Sequence, residues 1–283
     1  MRKIPIPKFT SFLIVSLVSG LLIFPSAVTG SSQPQFSGLP PFSQPELSAT
    51  QRSASTNQTC TLTPSLIEIE GTPQQIEGPY FVDEMPNRYD IRSDSTNGSL
   101  QAGILLRLVF HVYDVNDTDG DGTGSCIPLK DAKVDVWHSN SQGVYSGVQE
   151  AGTAENDFLR GYQMTDDNGT VQFTTIYPGW YEGRAIHIHI KVRDYDRSNE
   201  TFEWTSQLYL NNSINELVHT QPPYSEHGPV PITNEEDFIY TGPSTDGLIK
   251  DNTGQHLMLD MKKDREVYVG IFDVGVNATQ SRE

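Results

Sequence analysis

The sequence contains little cysteine, with only Cys60 and Cys126 among 283 residues. This excludes metal sites built from several thiolates, and neither cysteine lies in a recognisable nucleophile motif. In an oxidising compartment two cysteines most often pair, and here a disulfide would tie the start of the folded part to a later loop. Two unrelated buried thiols are the alternative, which the residues alone leave open.

Long apolar runs are equally scarce. The one clear run, Phe12–Phe24, follows Arg2, Lys3 and Lys8, is broken by Pro25 and leads into small residues. It is shorter than the roughly 20 apolar residues that a membrane-spanning helix requires. A basic flank, a short apolar core and a small-residue exit are typical of a secretory signal peptide, so we expect residues 1–30 to be one. The protein would then be secreted or periplasmic, with an uncleaved N-terminal anchor as the alternative.

Cations are few relative to acids. The chain has 19 Lys and Arg against 36 Asp and Glu, a formal charge of -17, and the acids are scattered along it. Such a charge argues against nucleic acid or an anionic membrane as a stable partner. Solubility alone can account for the acidity.

Blocks of helix-forming residues are absent, whereas Gly, Pro, Tyr and Phe are plentiful. Residues 31–59, rich in Ser, Gln and Pro, are predicted to be a disordered linker. Beyond them, we expect an all-β sandwich of mixed strands over 60–276, with loop and short helix over 211–250 and a tail at 277–283. Hydrophobic alternation predicts strands at 104–115, 132–138, 171–176, 257–261 and 267–274.

The loop Asp117–Gly122 places acids at the spacing that begins a calcium-binding loop. However, the twelfth position of that pattern, which requires a bidentate Glu, is Pro128. A polar turn is therefore the favoured interpretation, and calcium binding is the alternative.

The chemistry is concentrated in the stretch Tyr177–Val192, where His187 and His189 alternate with isoleucines. A strand would place both imidazoles on one face, an arrangement that suits a metal, although two hydrogen-bonded structural histidines are the alternative. Tyr181 precedes this pair, and Tyr145 follows a predicted strand and a Gly turn. A phenolate is a hard anionic ligand that suits ferric iron, but in a chain with 12 tyrosines each can also be an ordinary wall residue.

Five segments, in this order and spacing, carry a resemblance to a known family. They are Glu77–Phe81, Val134–His138, Gly143–Gly147, Phe158–Asp166 and Tyr177–His189. Together they resemble the core of the intradiol ring-cleavage dioxygenases, the non-haem iron(III) enzymes that include catechol, protocatechuate and hydroxyquinol dioxygenases. The chain is most similar to the secreted branch, whose members share a cysteine at the position of Cys126.

The resemblance implies a metal site and an activity. The family's ferric ligands fall on Tyr145, Tyr181, His187 and His189, with Tyr181 and His189 in the axial positions. The expected cofactor is Fe(III), and the expected partners are a catechol-type substrate and O2. The ring would open between its two hydroxyls to give a muconate-type diacid.

The same resemblance assigns residues around the metal. Tyr181 is expected to leave the metal and hold a substrate proton, Arg184 to stabilise negative charge on the ring, and Gln207 to support the site. Tyr80 lies where the substrate-pocket wall of the family begins. These residues complete the predicted catalytic and substrate-binding set.

Two other functions deserve comparison. A transthyretin-like β-sandwich that binds without turnover is the main alternative, but the full ligand set and Arg184 argue against a degenerate module. A zinc hydrolase built on His187 and His189 lacks a plausible acidic ligand. We do not expect the helical N-terminal segment through which several relatives dimerise, so the oligomeric state, homodimer included, is left open.

Overall fold

The structure is a computed structural model that describes residues 71–116, 125–197, 199–242 and 252–277. Strands dominate this part of the chain. They are β1 (Leu105–Asn116), β2 (Ser125–Pro128), β3 (Lys133–Trp137), β4 (Arg160–Met164), β5 (Thr170–Ile176), β6 (His187–Asp196), β7 (Asn199–Tyr209), β8 (Asp260–Asp264) and β9 (Val267–Val276). The helical elements are α1 (Asn212–His219) and the 3-10 turns Tyr224–Glu226, Asn234–Glu236 and Thr253–His256.

The first sheet is built around β1. This strand pairs with β9 in parallel along one edge, and on its other edge with β5 and then β2, both antiparallel. β8 extends the sheet beyond β9. A sheet that combines parallel and antiparallel pairs confirms the prediction of mixed strands.

The second sheet has the order β4-β3-β6-β7 and is antiparallel throughout. β6 is central, with β3 on one side and β7 on the other. β7 begins at Asn199 and pairs with β6 over ten positions, from His187 opposite Tyr209 to Asp196 opposite Asn199. The candidate site is built on this sheet.

One hydrophobic core lies between the two sheets. Strands of both sheets contribute to it through every second residue, such as Leu108 and Phe110 from β1 and Ile188 and Ile190 from β6, all fully buried. Because successive strand residues point to opposite faces, the residues between these face away from the core. The all-β sandwich is therefore confirmed.

Most predicted strands are present with shifted ends. The strand predicted at 257–261 begins at Asp260, whereas β2 and β4 were not predicted at all. The turn before β5 has the expected left-handed residue, because Gly169 has φ +71° and a Cβ there would lie 2.3 Å from the Val112 carbonyl oxygen. Within residues 211–242 the chain is loop, α1 and two 3-10 turns, as predicted.

Several predictions fall on residues that the structure does not describe. They include the signal peptide, the linker, the loop Asp117–Gly122 and Cys60. Cys126 is disulfide-bonded, but its predicted pairing with Cys60 stays a prediction. Within the described residues, no helix has the length and apolar character needed to span a bilayer.

Candidate functional site

The two faces of β6 carry different kinds of residue. Ile188 and Ile190 point into the core between the sheets, while His187 and His189 lie on the outer face, where they are 2% and 1% exposed. The alternation that predicted a strand with both imidazoles on one face is therefore confirmed. Histidines this deeply buried outside the apolar core need specific partners.

The neighbouring strands place two further side chains beside His189. In register, His189 lies opposite Trp137 of β3 and opposite Gln207 of β7. The indole of Trp137 stacks on the imidazole with 4.7 Å between ring centroids and 8° between planes. This stacking fixes the plane of the His189 ring.

Two loops bring Tyr145 and Tyr181 to the same place. The Asn140 carbonyl oxygen accepts from the amides of Gly143 and Gly179, so one residue joins the loop before Tyr145 to the loop before Tyr181. Gly143 is required at this contact, because it has φ +76° and a Cβ there would lie 2.1 Å from the Trp180 carbonyl oxygen. The rings of Tyr145 and Tyr181 consequently meet edge to face with centroids 5.6 Å apart.

The donor atoms of these residues converge. Tyr181 Oη lies 3.2 Å from His187 Nε2, which in turn lies 3.2 Å from His189 Nε2. The Tyr145 ring completes the group, with its centroid 6.0 Å from that of His189. All four residues predicted as metal ligands are thus brought together by the fold.

Burial sets the charge of these groups. It raises the pKa of the Tyr145 and Tyr181 phenols and lowers that of both imidazoles well below the usual range. His187 Nδ1 donates to the Ala185 carbonyl oxygen at 2.7 Å, so its Nε2 carries the lone pair. The histidines are therefore neutral and can donate a lone pair to a metal, and the phenols would ionise only beside a strong positive charge.

A metal ion meets the requirements of this group. The Tyr145 hydroxyl is buried without a hydrogen-bond partner, an arrangement that costs free energy unless another group binds the oxygen. Nitrogen donors on adjacent corners of a metal site lie about 3 Å apart, as the two Nε2 atoms do here. Within the described ranges no group of three or more His, Cys, Asp or Glu could hold a metal, so a metal here would need the phenols.

Arg184 lies beside the donor group and is held on two sides. Its Nη2 donates to Gln207 Oε1 at 2.5 Å and its Nε to Asp237 Oδ2 at 2.8 Å, while Nη1 lies 3.4 Å from Tyr181 Oη. Gln207 is anchored in turn by its Nε2, which donates to the Ile76 carbonyl oxygen. The structure therefore places the two predicted residues in contact with each other and close to Tyr181.

Asp237 was not predicted from the sequence. Its carboxylate is fully buried and accepts from Arg184 and the Ala185 amide through Oδ2, and from the Ile239 and Tyr240 amides through Oδ1. It lies 53 residues after Arg184 in a polar segment that has no hydrophobic period, so no local pattern indicates it.

Arg160 is a second residue without a predicted role, although it belongs to a segment that carried the family resemblance. Its guanidinium is 2% exposed and donates to the Tyr80 carbonyl oxygen at 3.1 Å, to Ser146 Oγ at 2.8 Å and to the Ser146 carbonyl oxygen. Burial lowers its pKa to about 10, still high enough to keep the group charged at neutral pH. A buried cation thus lies against the loop that presents Tyr145.

Tyr80 lies over the donor group, and its role as a wall of the substrate pocket stays a prediction. Its ring stacks on Tyr145 with centroids 4.5 Å apart and meets Tyr181 edge to face at 6.1 Å. Two residues earlier, a Cβ on Gly78 would lie 3.3 Å from His189 Cε1. The segment before β1 therefore forms one wall of the site.

Comparison with known proteins agrees with this geometry. A family model described as "Dioxygenase" matches residues 76–212, the range that contains the predicted metal-ligand, catalytic and substrate-binding residues. Catechol 1,2-dioxygenase from Acinetobacter baylyi is 35% identical over 115 residues, and catechol 1,2-dioxygenase 1 from Acinetobacter lwoffii is 36% identical over 112. Each match covers 39% of this chain and 32% of the relative, so the chain spans about a third of their length.

A solved structure extends the similarity to the fold. The intradiol ring-cleavage dioxygenase from Tetranychus urticae superposes with a TM-score of 0.59 at 26% identity, over 77% of this chain and 98% of that one. The family match at 76–212 includes the two tyrosines and two histidines of the donor group. Together, the family match, the sequence relatives and this structure support assignment of the chain to the intradiol ring-cleavage dioxygenase family.

Proposed function

We propose that this protein is an iron(III)-dependent intradiol dioxygenase acting on catechol-type rings. The observation that carries the proposal is the convergence of Tyr145, Tyr181, His187 and His189 on one point beside Arg184. Two phenols and two neutral imidazoles are a hard donor set with two potential negative charges, which suits a trivalent ion. Ferric iron is also the metal that the family resemblance implies.

The four converging residues would hold the iron, and the ion would supply a Lewis acid that binds the two oxygens of the substrate and prepares the ring for O2. Arg184 would stabilise negative charge on the ring oxygen nearest to it. A positioned cation in a water-poor site contributes a few kcal/mol to such a step. Because Asp237 and Gln207 hold its guanidinium from two sides, Arg184 is oriented before the substrate arrives.

Tyr181 is the residue placed to take a substrate proton. Its hydroxyl lies within 3.4 Å of both Arg184 Nη1 and His187 Nε2, and burial raises its pKa in the metal-free protein. Tyr80 stacks on Tyr145, and Trp137 stacks on His189. A proton transferred to Tyr181 would stay within reach of the ring.

The reaction would break the carbon–carbon bond between the two hydroxyl-bearing carbons. One O2 is consumed, and both of its atoms enter the product, so that catechol gives cis,cis-muconic acid with no other reactant. Two relatives that the chain matches are named catechol 1,2-dioxygenases, and catechol is therefore the first substrate to test.

Product analysis tests the proposal directly. Iron-loaded protein would be incubated with catechol, protocatechuate or hydroxyquinol under 18O2, and the products identified by mass spectrometry. We expect a muconate-type diacid with two heavy oxygens. A yellow semialdehyde would indicate cleavage outside the hydroxyls, whereas binding without turnover would favour the transthyretin-like binding module.

The ligand set has its own spectroscopic test. Tyrosinate bound to ferric iron should give the loaded protein a visible charge-transfer absorption, which Tyr181→Phe and Tyr145→Phe should shift or weaken. Tyr177→Phe is the control, because Tyr177 is also a buried tyrosine, like Tyr145, but donates to Asn215 in the core. A colourless protein that retains zinc would contradict the assignment.

Export of the protein is a separate proposal, supported by the sequence of residues 1–30. Expression with the native N-terminus, followed by N-terminal sequencing of protein recovered outside the cytoplasm, tests it. Mature protein that begins after the small-residue exit is expected, and protein that still begins at Met1 would contradict cleavage.

A further inference from the structure

The outer face of the second sheet continues beyond the histidines with charged residues. Lys191 and Arg193 follow His189 at strand period on β6 and are only 2% and 4% exposed. Their cross-strand neighbours include Asp135, opposite Lys191 on β3, and Glu203, opposite Arg193 on β7. A long cation is seldom buried on a sheet face unless something pairs with it and covers it.

The cover is the segment Glu77–Asp83, which we call the strap. Before it, the Gln75 amide donates to the Thr205 carbonyl oxygen on β7, an edge strand. After it, the Arg88 amide donates to the Tyr162 carbonyl oxygen on β4, the opposite edge. The strap therefore crosses the outer face of the sheet from one edge to the other, over the donor group of the site.

Buried cations attach the strap near both of its ends. Lys191 Nζ pairs with Glu77, and Arg193 Nη1 lies 2.5 Å from Asp83 Oδ1. Between these two pairs, the Phe81 ring lies 4.2 Å from Lys191 Nζ and 5.0 Å from the Trp137 ring. An aromatic face over an ammonium adds a cation–π contact to the two ion pairs.

What lies between the ion pairs is the wall of the site. Tyr80, stacked on Tyr145, and Gly78, beside His189, are both in the strap. Lys191 and Arg193 are thus connected to the site through the strap.

We propose that Lys191 and Arg193 are positioning residues that hold the strap, and with it Tyr80, against the site by their ion pairs with Glu77 and Asp83. The proposal rests on the proposed function only in taking Tyr80 as part of the substrate wall. When the pairs break, the strap should lift and the substrate should bind more weakly, while the chemistry at the donor group is retained.

Both ion pairs with the strap can be broken while each buried cation keeps another carboxylate partner. Lys191 Nζ also lies 3.1 Å from Glu203 Oε2, and Arg193 Nη2 lies 2.7 Å from Asp135 Oδ2. Changes on the strap, Glu77→Gln and Asp83→Asn, therefore leave each cation a partner in the sheet. Substitution of Arg193 itself would instead remove the guanidinium that lies 2.7 Å from the fully buried Asp135 carboxylate and risk misfolding.

Asp167→Asn is the matched control. Asp167 has 81% of its side chain exposed, against 73% for Asp83, and its Oδ1 lies 2.6 Å from the Nζ of Lys130. The chemical change and the length of the pair are nearly the same. The Lys130 partner is itself exposed, however, and the pair lies away from the strap.

The first measurement uses metal-free protein. Limited digestion with chymotrypsin, followed by mass spectrometry, gives the cleavage rate after Tyr80 and Phe81 relative to that after the exposed Tyr89 of the same chain. Cleavage of a transiently open segment follows its open population. We expect Glu77→Gln/Asp83→Asn to raise the relative rate about ten-fold, because both attachments of the strap are lost, and Asp167→Asn to leave it within about two-fold, because a solvent-exposed pair contributes little.

The second measurement uses iron-loaded protein and separates KM from kcat. The double variant should raise KM about five-fold or more and change kcat less than about three-fold, because the strap binds substrate but takes no part in bond breaking. Unchanged digestion of the strap, or faster cleavage throughout the chain, would overturn the proposal, as would an opened strap with an unchanged KM. Because the digestion needs neither iron nor turnover, its result would still test the role of the strap if the proposed dioxygenase activity were not found.

Discussion

The ten residues of β6 form part of the hydrophobic core on one face of the strand and part of the candidate site on the other, so the two faces can be compared directly. On the inner face Ile188, Ile190 and Val192 pack into a continuous apolar layer shared with the other sheet. On the outer face His187, His189, Lys191 and Arg193 are just as buried, but beneath a single strap and two loops. Burial alone therefore does not distinguish a core face from a functional one.

The difference lies in what each buried group contacts. An aliphatic side chain needs only close packing, and any neighbour of suitable shape supplies it. A buried imidazole or ammonium needs a partner of defined position, and here those partners come from segments remote in sequence. The inner face should therefore determine stability, and the outer face should determine chemistry.

The largest effect is expected from His189→Ala. Loss of one metal ligand should abolish the visible iron absorption and lower kcat/KM at least about 1,000-fold. The reason is that a bound metal stabilises the charge of the transition state by several kcal/mol. Iron content by mass spectrometry and turnover of catechol measure both. If His189→Ala kept iron and colour, the outer face would not be the metal site.

The same strand gives the opposite result one residue further along. Ile190→Ala should lower the free energy of unfolding of metal-free protein by about 2–5 kcal/mol, because it leaves a cavity in the core. Chemical denaturation measures this value, and the iron absorption of the folded variant should match that of the wild type. A stable variant that loses its iron would break the division between the two faces.

Strand period explains why the sequence predicts much of this arrangement. Alternation of His187 and His189 with isoleucines identifies both faces at once, because it depends only on neighbours along the chain. The loops that carry Tyr145 and Tyr181 have no such period, and their place in the site was predicted from the resemblance. β2 and β4 were missed because Ser125–Pro128 and Arg160–Met164 show no apolar alternation.

The partners on the outer face could not be predicted. Asp237 lies 53 residues from Arg184, and Asp83 lies 110 residues from Arg193. Nothing in the local sequence around these acids distinguishes them from the many others in an acidic chain. Asp83 reaches Arg193 because the strap crosses the sheet, and Asp237 reaches Arg184 because the loop after α1 returns to the site.

A third histidine sharpens the comparison through pH. His138 is buried between the sheets, where Nδ1 donates to the Ser139 carbonyl oxygen and Nε2 accepts from Thr175 Oγ1, both at 2.8 Å or less. Burial lowers its pKa from 6.5 to about 4. As pH falls below about 6.5, the unfolded chain therefore binds a proton that the folded protein refuses, and stability declines until pH reaches about 4.

The expected contribution of His138 to this decline is about 3 kcal/mol. Urea denaturation of metal-free protein at pH 7, 6, 5 and 4 gives the slope, and His138→Gln, which cannot titrate, should reduce it. The stabilisation is fully present above the unfolded pKa. An identical slope in the variant would mean that His138 is charged in the folded state as well.

The smallest of these effects is expected from Asp237→Asn, which tests whether a partner on the outer face acts on the chemistry. The amide would keep the size of the carboxylate but lose the charge that holds Arg184 Nε, so Arg184 should be less well oriented toward the ring. Loss of one electrostatic donor from an active site typically lowers kcat by about 100-fold or more, and here the donor is only less well oriented. We therefore expect kcat/KM to decrease by about 10- to 100-fold, mainly through kcat. Asp273→Asn is the control, because Asp273 pairs with His111 at 2.8 Å on the other sheet. Equal losses in the two variants would show that Asp237 serves the fold as a whole rather than the orientation of Arg184.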